Sequence, residues 1–387
     1  MRVAMTLFCF ATICLTTLFK GDCMDVLLMY GGKSCEHEIS IVTAKQVLSN
    51  IEGKVYEIYL TKDGKFKLVK NMQRPQDFAD QKKINNLQNV ALLPDDKTVY
   101  IKRGKKLKKL CVPDCAVLCF HGVNGEDGSV QGLLQLCGIA HTSCGVCASA
   151  VSMDKSTTKT FLKGISVPVV DCIVATKSKV DSFLFEKVKQ LGYPVIAKPS
   201  NLGSSIGISV AKNESQLAQA LNVAFSFDDT VVIEKALQNC FDANVSVFGY
   251  QGKVYASLLE KPVTWHEFLS FEDKYDGAKN SMAHSKREFP FECEFGEQMQ
   301  NIAKEIYSKL GCKGVVRIDF LVCKDCFYVN EINTIPGSFA YYLWKDKFDF
   351  KTLVKMQIDE GMALQKQKEK LTYLYESNVL KKPKGKK

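Results

Sequence analysis

Asp319, Glu331 and Asn333 lie within the stretch Val315 to Gly337, VVRIDFLVCKDCFYVNEINTIPG, and are residue types that hold a hard divalent cation. Glu331 and Asn333 are two apart, so on a strand their side chains leave the same face. Asp319 sits on VVRIDFLV, where pairing across a tight Lys324-Asp325 connection brings its carboxylate beside them. A few oxygen ligands that leave room for water and phosphate suit Mg²⁺ better than zinc. The same hairpin also reads as a half-solvated strand pair with its acids in water, and the rest of the chain has to choose between the two.

The elements that must position these groups begin at Asp25. DVLLMY is a near-continuous apolar run ending at Gly31-Gly32, the pattern of a buried parallel strand feeding a loop, GGKSCEHEIS, and then a helix with Ile39, Val42 and Val47 on one side. Gly32-Lys33-Ser34 ends like a phosphate-binding P-loop, but that motif needs a glycine where this chain has Leu27, which excludes Walker-type nucleotide binding. A short meander follows, then a second buried run, CAVLCF, ending at His121-Gly122. Strands alternating with helices imply a doubly wound α/β domain whose ligands gather at the carboxyl ends of the strands. Ser129 to Leu136 reads as the next helix.

From Cys144 the pattern changes. Ala148 to Lys163 reads as one helix, Ile165 to Val174 as an extended segment around Pro168, and Phe183 to Leu191 as a helix. A strand then ends at Lys198-Pro199 and opens into the loop SNLGSSIGISV. A helix (Ser215 to Ala224) and the strand TVVIEKAL complete that unit. Strands, a loop from Trp265 to Lys286, a helix from Phe295 to Leu310 and the hairpin form a third region. The division is residues 24–143, 144–235 and 236–373, with a basic tail at 374–387. Residues 1–23 read either as a start codon placed too early, with Met24 as the natural start, or as a membrane-directed leader. Seventeen helical residues there reach only ~25 Å, short of the ~30 Å hydrocarbon core.

Length, 387 residues, allows two or three domains with real cores. The formal net charge of +10 invites a nucleic-acid partner, but five lysines in the final KKPKGKK carry half of it. The other basic cluster, Lys102 to Lys109, reads as a turn, and no basic stripe is interleaved with aromatics, so a nucleic-acid role is set aside. The sixteen cysteines sit in apolar runs and read as small hydrophobes in a reducing cytoplasm. Cys144-x-x-Cys147 and Cys323-x-x-Cys326 lack the compact arrangement of a zinc ribbon. Gly203-Ser204-Ser205-Ile206-Gly207 matches the serine-hydrolase pattern G-x-S-x-G, yet a strand rather than a helix follows it; serines and backbone N–H groups that wrap phosphate are the better reading.

Four blocks, in order and spacing, resemble the D-alanine:D-alanine ligase family: GGKSCEHEIS, HGVNGEDGSVQGLLQL with ASAVSMDK, KPSNLGSSIGIS, and VRIDF with NEINTIPG. The resemblance spans Asp25 to about Tyr373. It implies an ATP-grasp fold preceded by a doubly wound α/β N-terminal domain, α/β and α+β in class. It also implies ATP- and Mg²⁺-dependent joining of two D-alanines through an acylphosphate, for peptidoglycan. In that chemistry two anions must approach, and at ~4 Å with an effective dielectric near 20 each unit pair repels by about 4 kcal/mol.

The resemblance assigns the offsetting cations to Lys155, Lys198 and Lys274, and two Mg²⁺ ions, or Mn²⁺, to Asp319, Glu331 and Asn333. Arg317 and the N–H of Gly337 correspond to the stabilisers of the tetrahedral oxyanion. Glu36 corresponds to the residue that holds the donor's ammonium, Ser204 and Tyr275 to the partners linking it to a closing loop, and His121 to a histidine near the donor's carboxylate. Ser205 belongs to the phosphate loop. Glu234, Lys235 and Leu237 fall in the adenine hinge, and Asp242 stands where the family usually has glutamate for the ribose.

After Gly337 many relatives carry a serine that holds the acceptor's carboxylate; this chain reads SFAYYLW, leaving Ser338, Tyr341 and Tyr342 as the hydroxyl candidates. Tyr275 favours D-alanine as acceptor, with D-serine, D-lactate or another small acid as the alternatives. The resemblance also implies small-molecule partners, a homodimer and no stable membrane partner.

Overall fold

The computed structural model describes residues 24–262 and 287–372. Tyr275, Lys274 and the FLSFEDKY block lie outside the described residues, as do residues 1–23 and the basic tail.

Three sheets succeed one another along the chain. The first takes β1 (Asp25–Gly31), β2 (Lys54–Leu60), the meander β3 (Phe66–Leu68), β4 (Gln88–Leu93), β5 (Asp96–Arg103) and β6 (Lys106–Cys111), and β7 (Cys115–Leu118), in the order β6-β5-β4-β3-β2-β1-β7. Only β2, β1 and β7 run parallel; β3 to β6 extend that core as antiparallel hairpins. The Lys102–Lys109 cluster therefore spans a β5–β6 hairpin rather than a turn alone: residues 102–109 are exposed in an unbroken run at the edge of the sheet, while Ile101 and Cys111 stay buried. β1 is buried from Val26 to Tyr30, which is why it reads as a continuous apolar run. Helix α1 (His37–Leu48) covers the sheet with Ile41, Ala44 and Val47. A short helix α2 (Gln81–Asn86) and then α3 (Ser129–Leu136), with the bounds expected from sequence, follow.

The stretch 148–163 is two helices, α4 (Val146–Met153) and α5 (Lys155–Gly164), where sequence periodicity suggested one. Asp154 breaks the run: its carboxylate accepts from Thr157 N at 2.6 Å as the N-cap of α5, and the Lys155 N–H leaves the helix to bond Ser200 O at 3.0 Å. The second sheet is β10-β9-β11-β8, from β8 (Cys172–Thr176), β9 (Val195–Pro199), β10 (Ser209–Ala211) and β11 (Thr230–Lys235), all antiparallel and carrying helices α6 (Ser182–Leu191) and α7 (Glu214–Ala224).

The third sheet holds β12 (Phe241–Tyr250), β13 (Lys253–Ala256), β14 (Leu259–Pro262), β15 (Arg287–Phe291), β16 (Val315–Val322) and β17 (Phe327–Asn333), with α8 (Gly296–Lys309) packed on it. Its core of Val245, Val247, Val316, Ile318 and Phe320 takes Met299, Ala303 and Ile306 from α8. The chain then returns to the first domain. Phe339, Leu343 and Trp344, with Leu353 and Ile358 of helix α9 (Phe350–Lys368), join the core of the first sheet. Gly361 of α9 lies so close to β7's flank that an added Cβ would stand 2.6 Å from His141 O. This return docks the segment after β17 onto α1.

One cysteine expectation fails. Cys240, just before β12, and Cys323, just after β16, form a disulfide across adjacent strand ends 83 residues apart in sequence. The strand pairing that juxtaposes them, Phe241 opposite Val322, is long-range and leaves no local mark on either cysteine. Six of the eleven free cysteines among the described residues are buried, as small hydrophobes should be.

Candidate active site

The hairpin β16–β17 holds Asp319 opposite Glu331 and Arg317 opposite Asn333. A bulge follows Asp319, and strands 16 and 17 otherwise pair in simple register. Arg317 and Asp319, two apart on β16, share a face. The guanidinium donates to both carboxylate oxygens, Nε to Oδ1 at 2.6 Å and Nη2 to Oδ2 at 2.7 Å, and Asn333 Nδ2 donates to the same Oδ2 at 3.0 Å. Burial works against the Arg317 charge, but the Asp319 carboxylate outweighs it and lifts the guanidinium above its ordinary pKa. Asp319 is thus oriented by two neighbours, with Glu331 on the facing strand. Among the described residues no group of three or more His, Cys, Asp or Glu that could hold a metal ion gathers; beside the two carboxylates stands the Asn333 amide.

The second sheet contributes cations. Lys198, on β9, reaches Glu234 of β11 at 2.7 Å and Asn330 of β17 at 3.4 Å. The other oxygen of Glu234 pairs with Lys159 of α5 at 3.2 Å. Burial would raise this carboxyl, but Lys198 and Lys159 prevail and hold it below the usual range. Lys159 is an addition to the residues expected from sequence; its place in α5, one turn after Lys155, was the available signal. Lys155 donates to Leu202 O in the Gly203–Gly207 loop. Its ammonium pKa falls, first through burial, and it lies within the fields of Glu331, Lys198, Glu234 and Glu36. Lys235 turns toward Gly192 O at 2.9 Å, Leu237 is half-buried past the end of β11, and Asp242 lies on β12 opposite Leu321.

The first sheet contributes Glu36, at the N-cap of α1. Its Oε1 accepts from Ser204 Oγ, and Ser204 and Ser205 both adopt left-handed backbone, φ 54° and 58°. Gly203 and Gly122 stand on either side of that carboxylate; an added Cβ at Gly203 would lie 2.6 Å from Glu36 Oε2. His121 is buried, its Nε2 3.0 Å from Thr43 Oγ1. Burial, then the charge of Arg317, takes its pKa down to about 4, so the ring is neutral at pH 7.

Glu126 was missed in the sequence reading although it belongs to the HGVNGEDGS block. Its two oxygens accept from Gly122 N and Ile335 N, each at 2.9 Å, tying the loop after β7 to the loop after β17. Burial and then the Glu36 charge raise its pKa to about 8.

Past Pro336 the chain makes a tight turn in which Ser338, Phe339 and Ala340 are all left-handed. Ser338 Oγ donates to Gln46 of α1, and Tyr341 stacks on Phe350 at 4.6 Å. Tyr342 points the other way, with the Arg287 guanidinium 4.0 Å above its ring.

Carboxylates from the first and third sheets and lysines from the second thus face one another, an arrangement suited to joining a carboxylate to an amine at the expense of a nucleoside triphosphate. The class is the ATP-grasp ligases. Residues 25–144 match the family model for the D-ala D-ala ligase N-terminus and residues 161–359 that for the C-terminus, so the chain belongs to the D-alanine:D-alanine ligase family. It is 35% identical over 365 residues to a D-alanine--D-alanine ligase of Thermosipho africanus, covering 92% of this chain and 98% of that one. The enzyme of the same name from Staphylococcus epidermidis is 32% identical over 366 residues, with 90% and 98% covered. Among solved structures, the D-Alanine-D-Alanine Ligase of Helicobacter pylori superposes with a TM-score of 0.71 at 28% identity, covering 87% of this chain and 98% of that one. The VanG D-Ala:D-Ser ligase of Enterococcus faecalis shares the fold, with a TM-score of 0.74 at 24% identity and 88% and 100% covered.

Proposed function

We propose that this chain joins two D-alanines into D-alanyl-D-alanine at the expense of ATP, for peptidoglycan precursors. The observation that carries the reading is Lys155, which lies within the fields of Glu36 and Glu331 together. Its ammonium is bonded to Leu202 O in the Gly203–Gly207 loop and feels both the carboxylate proposed for the amino acid's ammonium and one proposed for the metal.

In this reading Glu36, held by Ser204, pairs with the ammonium of the first D-alanine and fixes its carboxylate toward the γ-phosphate. Lys155 and Lys198, with Lys274, offset the repulsion between that carboxylate and the phosphates, and the left-handed Ser204-Ser205 loop offers N–H groups to phosphate oxygens. Glu234, Lys235, Leu237 and Asp242 border the nucleotide. Asp319, Glu331 and Asn333 form an all-oxygen set of the kind Mg²⁺ takes, and two ions bound there would neutralise phosphate charge. The resulting acylphosphate is attacked by the amine of the second D-alanine, and Arg317 with Gly337 N–H receives the oxyanion. His121, neutral and hydrogen-bonded to Thr43, lines the first substrate's end of the site as an uncharged polar group rather than as a charge. Tyr275 would complete the link from Glu36 through Ser204 to a closing loop, and closure would keep water from the acylphosphate.

We place the reaction in the cytoplasm, where ATP is available, in a homodimer; among the described residues no helix is long and apolar enough to cross a membrane. Phosphate release should require ATP, Mg²⁺ and D-alanine together. Release independent of D-alanine, or none with any D-amino acid, would overturn the reading.

A further inference from the structure

Cys323-x-x-Cys326 has no part in the ligase chemistry, and the third sheet sets another cysteine in line with it. On β16, Val322 lies opposite Phe241 of β12 on one side and opposite Phe327 of β17 on the other. One residue further along each ladder, Cys323 faces Cys240 on the β12 side and Cys326 on the β17 side. The Cys240–Cys323 disulfide agrees with the first pairing, and the bond from Cys323 N–H to Cys326 O at 2.8 Å agrees with the second. Residues directly opposite in an antiparallel pair send their side chains to the same face. The three cysteines therefore form one rung across three adjacent strands, with Cys323 in the middle.

Two properties of that rung suit exchange rather than a fixed cross-link. Opposite residues in a hydrogen-bonded pair have Cα atoms about 5.5 Å apart, within the ~4.4–6.8 Å that a disulfide spans, so Cys323 can bond to either neighbour without a strand moving. The rung is also open to solvent: Cys326 is an exposed free thiol, and Cys240 and Cys323 are only half-buried. Accessible disulfides are the labile ones, and those of proteins that work where thiols are kept reduced are usually transient or redox-sensing. The place of Cys240 gives the exchange a consequence. It lies in the connector 236–240, which joins β11 of the second sheet to β12 of the third, between Leu237 and Asp242 that border the proposed nucleotide site. The Cys240–Cys323 bond ties this connector to the end of β16, the strand that carries Arg317 and Asp319. A Cys323–Cys326 bond would close only the β16–β17 turn and leave the connector untied.

We propose that Cys240, Cys323 and Cys326 form a thiol–disulfide exchange site, opened by dithiol reductants, that sets how firmly the connector beside the nucleotide is held. The Cys326 thiolate attacks Cys323 Sγ. A Cys323–Cys326 bond forms, the Cys240–Cys323 bond breaks, and its electron pair leaves on Cys240 Sγ, which takes up the proton that Cys326 gave up. That step involves no net oxidation or reduction. A dithiol then attacks the exposed hairpin bond, is oxidised to its own disulfide, and leaves Cys323 and Cys326 as thiols. The exchange stands on the strand register alone; its effect on the nucleotide rests on the ligase reading above.

The test traps the bonds and reads the nucleotide separately. Full-length protein purified without reductant is held at about pH 8, where the thiolate is populated, then quenched with acid, unfolded, alkylated with N-ethylmaleimide and mapped by peptide mass spectrometry. Wild type is expected to give two species, one with the Cys240–Cys323 bond and Cys326 alkylated, the other with the Cys323–Cys326 bond and Cys240 alkylated. Cys326→Ser should give only the first. With dithiothreitol, the Cys240 thiol should appear about tenfold or more slowly in Cys326→Ser than in wild type, because a neighbouring thiol attacks at high effective concentration. A single Cys240–Cys323 species in wild type, or equal opening rates in the two proteins, overturns the proposal. Titration with a fluorescent ATP analogue reads the consequence. Its Kd should rise by about three- to tenfold after reduction of wild type, and equally in unreduced Cys240→Ser, since both untie a preorganised connector. An unchanged Kd in both overturns the link to the nucleotide. Failure of the ligase reading looks different: the two trapped bonds would still appear, but no phosphate release would depend on D-alanine.

Discussion

The Ser204 hydroxyl donates to the Glu36 carboxylate across 168 residues of sequence. It joins a loop of the second sheet to the helix that caps the first. Both partners are constrained: Ser204 is held in left-handed backbone, and Glu36 sits between two glycines whose missing side chains leave room for its oxygens. Gly203→Ala tests the arrangement without replacing either partner. Its methyl would stand 2.6 Å from Glu36 Oε2 and force the carboxylate aside. We expect the donor KM to rise by about tenfold or more with little change in melting temperature, because a misplaced orienting group costs positioning. Initial rates against D-alanine, with thermal melts in parallel, check this; a normal KM would show that Glu36 does not orient substrate.

Asp319 is oriented by Arg317 and Asn333, with Glu331 opposite. Glu331→Gln is nearly isosteric and removes one negative charge from the proposed ion site. Turnover should fall by at least about 10²-fold while the protein still melts cooperatively, and raising Mg²⁺ should recover part of the rate. Turnover within a few-fold of wild type would refute the metal assignment.

How much of this was legible beforehand follows the range of the interactions. The β16–β17 hairpin showed in β-branched alternation, and α3 in its apolar spacing, because both are local patterns. The Glu126 bridge to Ile335 N spans 209 residues, and the Cys240–Cys323 bond spans 83. Neither has a period or a propensity to betray it; each exists only because sheets meet. The break at Asp154 was legible in principle, since aspartate followed by Lys-Ser-Thr is an N-cap signature, but apolar spacing on both sides masked it. The left-handed run Ser338–Ala340 contradicts the backbone preference of all three residues, so only its docking onto α1 explains it.

Glu234 lies between Lys198 and Lys159, both its oxygens in use and the carboxyl almost wholly buried. Removing one member of such a cluster leaves buried charge without its counterpart, which typically costs about 3–5 kcal/mol. Glu234→Gln should therefore lower the denaturation midpoint strongly, with the amide supplying only part of the lost hydrogen bonding. Because Lys198 would lose its anchor, nucleotide binding should weaken as well. Urea melts and a fluorescent ATP-analogue titration read the two effects separately. A variant as stable as wild type would show that the lysines are held by other partners.

His121 and His141 give the fold a defined pH response. Burial is the main cause in both, and it takes each pKa from 6.5 to about 4. Between those values the unfolded chain binds a proton that the folded chain refuses, so stability falls as pH drops from 6.5 toward 4 and is regained above 6.5. At pH 5 each ring should account for about 2 kcal/mol of lost stability relative to pH 7. His141 is the cleaner probe, since it lies apart from the proposed substrate contacts, its Nδ1 3.4 Å from Ser143 Oγ beside the docking point of α9. His141→Asn should reduce the stability difference between pH 7 and pH 5 by roughly that amount, whatever it does to stability at pH 7. Urea midpoints at the two pH values decide it, and an unchanged difference would mean that His141 titrates normally in the folded protein.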